Sequence, residues 1–193
     1  MRKVVLEDLA GPSRYGEMRD EFRRRIIALK RDRRVAVGDR VTLVFENFDT
    51  ILFQTQEMLH AERITDLDRV REELEVYNEL LPGENELSAT MLIEITEQPD
   101  VAAELHRLIG IDEHLSLRVG EVSIAACFEP GRSTDEKLSA VQYVRFPLGP
   151  ATARTFAAGD VPVEIRIDHP NYEARATLSP GQRASLAGDL GLA

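Results

Sequence analysis

The spacing of apolar residues changes character at Pro82-Gly83, and that change limits the folds open to this chain. Before it, with one short exception, apolar residues return every third or fourth position, the period of a helix with one buried face. After it they return mainly every second position, as in a strand with one buried face. Helices first and strands afterwards, without repeating strand–helix–strand units, predict an α+β fold in which N-terminal helices pack with a mostly antiparallel sheet. A length of 193 residues suits a single domain, helix-rich over 1–86 and strand-rich over 87–193.

In the first segment Tyr15, Met18, Phe22, Ile26 and Leu29 form the buried stripe of a long helix. Val35, Val37 and the run Val41 to Phe45, interrupted by Gly38-Asp39, predict a short hairpin. A second helix starts at Asn47 or Asp49, either able to cap its first turn, and runs through ILFQTQEMLHAER. A third opens on Thr65 and Asp68 as a capping box and carries Leu67, Val70, Leu74, Tyr77 and Leu81 on one face. That seam either packs into the domain or joins two copies, which leaves a homodimer open. In the second segment, Met91, Ile93 and Ile95 mark a strand, followed by a short helix with Pro99 near its first turn and Gly110 past its end. HLSLRVGEVSIAACF reads as two strands joined at Gly120-Glu121, the second running on to Phe128. AVQYVRF, VPVEIRI and YEARATL add three more, with breaks at Gly149-Pro150 and His169-Pro170-Asn171, and Ser179 with Gln182 opens a final short helix.

Charge is segregated. Residues 1–34 hold eleven Lys/Arg against six Asp/Glu, a net of +5, whereas residues 46–104 hold three Arg against sixteen Asp/Glu, a net of −13. A basic helix lying beside an acidic one accounts for this, and so does a bipolar docking surface. On the second account Arg19, Arg23, Arg24, Lys30 and Arg31, which lie off the apolar stripe, are the docking residues. The overall charge of −10 disfavours nucleic acid and anionic membranes as partners, and the absence of Trp removes the best base-stacking side chain. The single cysteine, Cys127, excludes an internal disulfide and a cluster ligated by the chain's own thiolates. With neither a signal-like apolar run nor a membrane-spanning one, the expectation is a soluble cytoplasmic protein.

No dinucleotide-binding glycine fingerprint, phosphate loop, nucleophile elbow or H-E-x-x-H helix occurs, so no cofactor is expected. Glu57 and His60, three apart on one helix face, have the spacing found in carboxylate-bridged di-iron bundles. Such a centre takes a second Glu-x-x-His, which this chain lacks, so a solvated pair is preferred and no metal is favoured. Glu46, Asn47, Thr50, Gln54 and Glu57 gather acceptors, hydroxyls and amides at a strand-to-helix junction and form the candidate ligand site; helix capping and solvent exposure are the structural alternative. Glu94, Arg118, Arg145, Glu164 and Arg166 fall on strand faces, as a charged pocket or as solvent-facing pairs. Cys127 has no neighbouring His or Lys and reads as a buried, inert thiol, and His106, His114 and His169 share no ligand spacing.

At VFENFDTILFQTQEMLHAERI, YNELLPGENELSATMLIEIT, SAVQYVRFP and HPNYEARATL the chain resembles a bacterial family of similar length known only as a domain of unknown function. The genes of that family often lie beside those of rubrerythrin-like proteins and of iron–sulfur oxidoreductases of the heterodisulfide-reductase type. The resemblance therefore implies a redox or oxidative-stress setting, with such proteins as partners, but neither a reaction nor catalytic residues. At the position of His60 the family prefers Arg, which further weakens the metal reading. Two functional classes follow: an accessory or interaction protein of a bacterial redox system without a cofactor of its own, and a small-molecule binder or enzyme built on the junction from Glu46 to Glu57.

Overall fold

Pro12 in the first turn and Lys30 and Arg31 in the last bracket the first helix; proline sacrifices no hydrogen bond at that end, and the cations face the carbonyl end of the dipole. The computed structural model describes residues 1–95, 100–131, 133 and 137–191. In it this helix, α1, spans Pro12–Arg31 and buries Tyr15, Phe22 and Ile26. The hairpin follows as β1 (Arg34–Val37) and β2 (Val41–Phe45), then α2 (Phe48–Ala61) and α3 (Leu67–Asn78). Next come β3 (Glu86–Ile93), α4 (Val101–Arg107), β4 (Leu115–Val119), β5 (Val122–Ala125) and β6 (Cys127–Phe128). The chain continues through β7 (Val141–Pro147), α5 (Gly149–Ala158), β8 (Val163–His169), β9 (Tyr172–Thr177) and α6 (Pro180–Ala187).

The strands form two antiparallel sheets, one in the order β1-β2-β3-β7-β6 and one in the order β5-β4-β8-β9, so the fold is α+β. Inward residues of both sheets, among them Leu43, Met91, Phe146, Leu117 and Ile165, join one apolar cluster with Phe156 of α5 and Leu186 of α6. The first three helices keep smaller clusters of their own, in which α2 packs against both α1 and α3.

Four local expectations change. The cap of α3 is Asp66, whose carboxylate accepts from the Arg69 N–H, rather than Thr65, and Leu67 at the head of the expected seam is 59% exposed. The strand expected to run to Phe128 breaks at Ala126: the Ala126 N–H still donates to Leu115, but Cys127 and Phe128 pair with Arg145 and Val144 in the other sheet. Small residues at 125 and 126 make the bend sterically cheap. Cys127 consequently emerges on the solvent side and is exposed, not buried. Finally, Gly149-Pro150 starts α5 instead of merely breaking a strand; Pro150 occupies its first turn and Gly159 closes it in the left-handed region. Pro99 lies outside the described residues; α4 is capped by Asp100, which accepts from the Ala103 N–H.

Candidate functional site

Glu46 stands where β2 hands over to α2. The Glu46 N–H donates to Ser88 in β3, which extends the sheet one residue past Phe45 and points the carboxylate to the outer face. There Thr50 donates to Oε2 at 2.5 Å, Gln54 Nε2 donates to the same oxygen at 3.0 Å, and Thr90 Oγ1 donates to Oε1 at 2.7 Å. Glu46 is 3% exposed, yet among the described residues no Lys or Arg pairs with its carboxylate. Of the five predicted ligand residues the structure thus brings Glu46, Thr50 and Gln54 together. Asn47 serves the helix instead, accepting from the Thr50 N–H at 3.0 Å while its own N–H donates to Thr50 Oγ1 at 2.9 Å. Thr90, which completes the carboxylate's shell, is absent from the sequence prediction because it arrives from β3 through strand pairing, opposite Val44.

A buried guanidinium holds this junction in place. Arg33, 1% exposed, donates through Nε to the Phe45 carbonyl at 2.9 Å and through Nη2 to the Glu46 carbonyl at 3.0 Å. It also donates to Asp189 and to Ser185 at the C-terminal end of the fold. Burial pushes the Asp189 carboxyl up, opposed by Arg33 and by a hydrogen bond from Asn47. The junction is therefore tied to the segment following α6 through Arg33.

Glu57 belongs to a different constellation. It faces α1, where Arg19 donates to both its oxygens at 2.7 and 2.8 Å and the Tyr15 hydroxyl donates at 2.6 Å. This removes Glu57 from the ligand site: two turns along the helix from Thr50, about 10 Å further on, its carboxylate is taken up by Arg19 and Tyr15 of α1. It also removes Arg19 from the docking residues, since its guanidinium is spent inside the helical layer. His60 is turned to Tyr15, with ring centroids 5.6 Å apart. Among the described residues no three His, Cys, Asp or Glu side chains gather as metal ligands.

The bidentate Arg19 guanidinium lowers the Glu57 carboxyl from 4.5 to about 2, with burial opposing and Tyr15 assisting. Burial and Glu57 together push the Tyr15 hydroxyl up. As pH falls the unfolded chain takes up this proton first, so the stabilisation is complete above about pH 5 and drains away towards pH 2. Denaturant titrations of Glu57→Gln and wild type are expected to differ most near neutral pH and to converge towards pH 2; a gap that stays constant across that range would contradict this assignment.

On the outer face of the five-stranded sheet, two hollows meet at Glu46 and Thr90. One, of about 410 Å³, is lined by Ser88, Tyr143, Arg145 and Cys127; the other, of about 510 Å³, by Lys30, Arg31, Arg34, Val44 and Leu92. Pairing register builds the floor: Thr90 lies opposite Tyr143, and Arg145 lies between Ser88 and Cys127. Arg145 is fixed by donating to the carbonyls of Glu79 and Leu81 and to the Glu86 carboxylate. Lys30 and Arg31 are walls of this groove, and Arg31 also faces Asp32 at 3.5 Å. Of the predicted docking residues only Arg23 and Arg24 stay exposed without an ion pair among the described residues. The charged strand residues divide: Arg145 lines the groove, Thr42 donates to Glu94 at 2.6 Å, and Arg118, Glu164 and Arg166 lie on the other sheet.

A family profile matches residues 3–190, and its description is a protein of unknown function, DUF3501. The chain belongs to the DUF3501 family. A crystal structure of a novel protein of unknown function from Burkholderia pseudomallei K96243 is 38% identical, covers 98% of this chain and 100% of its own, and superposes with a TM-score of 0.91. No curated protein matches the chain. The DUF3501 match includes both ends of the buried clamp, Arg33 and Asp189, and every residue that lines the groove. Among the described residues of this DUF3501 protein no helix is long and apolar enough to cross a membrane.

Proposed function

We propose that this protein binds a small molecule in the groove over the outer face of the five-stranded sheet, with Glu46 as the group that recognises it. The observation that carries the reading is a buried carboxylate, supported by three neutral donors and, among the described residues, by no cation, at the meeting point of two hollows. A carboxylate so placed favours a ligand that brings a cationic or strongly donating group. Lys30, Arg31 and Arg34 at one end suit an anionic group, and Val44 and Leu92 offer apolar surface between them, so the matching ligand carries both charges on a partly apolar body. Glu46→Gln keeps the shape and an acceptor for the hydroxyls. Native mass spectrometry is expected to find a non-covalent adduct on the wild type that is lost from a folded Glu46→Gln variant. An adduct equally retained by both proteins would place the ligand elsewhere.

The exposed guanidiniums of Arg23 and Arg24 support a second reading, that of an accessory protein docking rubrerythrin-like or iron–sulfur partners, the neighbours implied by the family resemblance. Long-range charge attraction acts mainly on association rate and is screened by salt. Reversing both residues to Glu leaves the buried stripe of α1 untouched and is expected to abolish copurification of such a partner at moderate salt. Copurification that survives both charge reversal and high salt would exclude this face.

A further inference from the structure

A second cavity, sharing no lining residue with the groove, lies among the turn Leu6–Asp8, the start of α1, α2 and α3. Its volume is about 260 Å³, and Leu6, Leu9, Leu59, Ile64, Leu67 and Val70 make its walls apolar. One buried polar group interrupts them. Gln56 is 4% exposed and borders the cavity, and its Oε1 accepts from the Ala10 N–H at 2.7 Å. A backbone N–H only donates, so that bond identifies the oxygen end of the amide and leaves the NH2 group at the other end. Nε2 forms no hydrogen bond with any described residue. Nε2 is not sealed from solvent, so on the wall of this apolar hollow it is a donor that water reaches and that a ligand's acceptor can take over, replacing that water with a directed hydrogen bond. On the same wall stands His60, edge-on to Tyr15, whose hydroxyl is turned away to Glu57.

We infer that this cavity is a binding site for a small, uncharged, largely apolar molecule bearing one hydrogen-bond acceptor of the aryl-ketone type, received by Gln56 Nε2. The apolar walls supply affinity and the amide supplies orientation. The chain has no Trp, so a dye that fluoresces in apolar surroundings reports on the cavity against a low background.

The test is displacement of 8-anilinonaphthalene-1-sulfonate by 1-tetralone and by tetralin, which share a skeleton and differ in the carbonyl. The ketone is expected to compete up to about tenfold better than the hydrocarbon, the net gain of one hydrogen bond that replaces a bond to water. Gln56→Glu at mildly alkaline pH keeps the acceptor for the Ala10 N–H and replaces the NH2 by oxygen; it is expected to erase that preference. Should this variant not fold, the wild type decides by NMR: the Gln56 side-chain amide protons move on adding tetralone and stay put on adding tetralin. Equal competition by the two compounds, a preference that survives in Gln56→Glu, or unmoved amide signals would each overturn the assignment.

Discussion

Arg33→Ala is expected to destabilise the protein by about 3–5 kcal/mol, the usual consequence of removing one partner from a buried ion pair. The side chain carries four obligations at once: the carbonyls of Phe45 and Glu46, the Ser185 end of α6 and the Asp189 carboxylate. Alanine leaves the Asp189 charge buried without its guanidinium and removes the donors from the two junction carbonyls. Because burial already raises the Asp189 carboxyl, its protonation becomes easier once Arg33 is gone, so the loss should be smaller in mild acid than at neutral pH. Adding Asp189→Asn to Arg33→Ala is expected to restore part of the stability, a sign of coupling rather than simple truncation. Urea denaturation of the two single variants and the double variant measures this. A loss under about 1 kcal/mol for Arg33→Ala would show that the clamp is dispensable.

Gly38→Ala should be nearly as damaging, by about 3–4 kcal/mol, for a different reason. Gly38 has φ +74°, and a Cβ there would lie 2.3 Å from the Tyr172 hydroxyl oxygen and 2.9 Å from the Ala174 Cβ. That hydroxyl is not free to withdraw, since it donates to the Val37 carbonyl at 2.6 Å and accepts from the Arg40 N–H at 3.1 Å. The substitution therefore adds left-handed strain to the loss of the bonds by which β9 grips the hairpin of the other sheet. Tyr172→Phe alone is expected to cost about 1–3 kcal/mol, and Gly38→Ala should cost less in that background than in the wild type. Strict additivity in thermal melts of the double variant would mean that the hydroxyl and the glycine do not share a cause.

What the sequence revealed and what it concealed divide along the range of the interactions. Asn47 with Thr50 and Ser179 with Gln182 cap their helices within four residues, so the residue types alone announce those starts. The hairpin at Gly38 and the alternation of β3 were equally local. The helix α5 went unread because its buried stripe is only Ala153 and Phe156, too slight against the turn signal of Gly149-Pro150. Half of the candidate site was legible as a polar strand-to-helix junction, but its spacing did not say which way each side chain turns. Glu46 meets Gln54 across the first turns of α2, whereas Glu57, only three residues further on, looks to Arg19 and Tyr15. Thr90 and Asp189 were invisible, since sheet register and the return of the C-terminal segment bring them in from far along the chain. Arg33 was lost among eleven basic residues, and only its place between α1 and β1 sets it apart.

The strand that breaks at Ala126 also governs how the protein comes apart. β5 is the outermost strand of one sheet and β6 the outermost strand of the other, and only Ala126 separates them. A fluctuation that peels either edge must drag on its counterpart, so the two sheets cannot open as independent units. Amide hydrogen exchange should accordingly report one shared opening free energy for β4 and β7, the inner neighbours of that corner, although they belong to different sheets. With β6 only two residues long, the same corner also leaves little unpaired backbone at which another chain could add a strand.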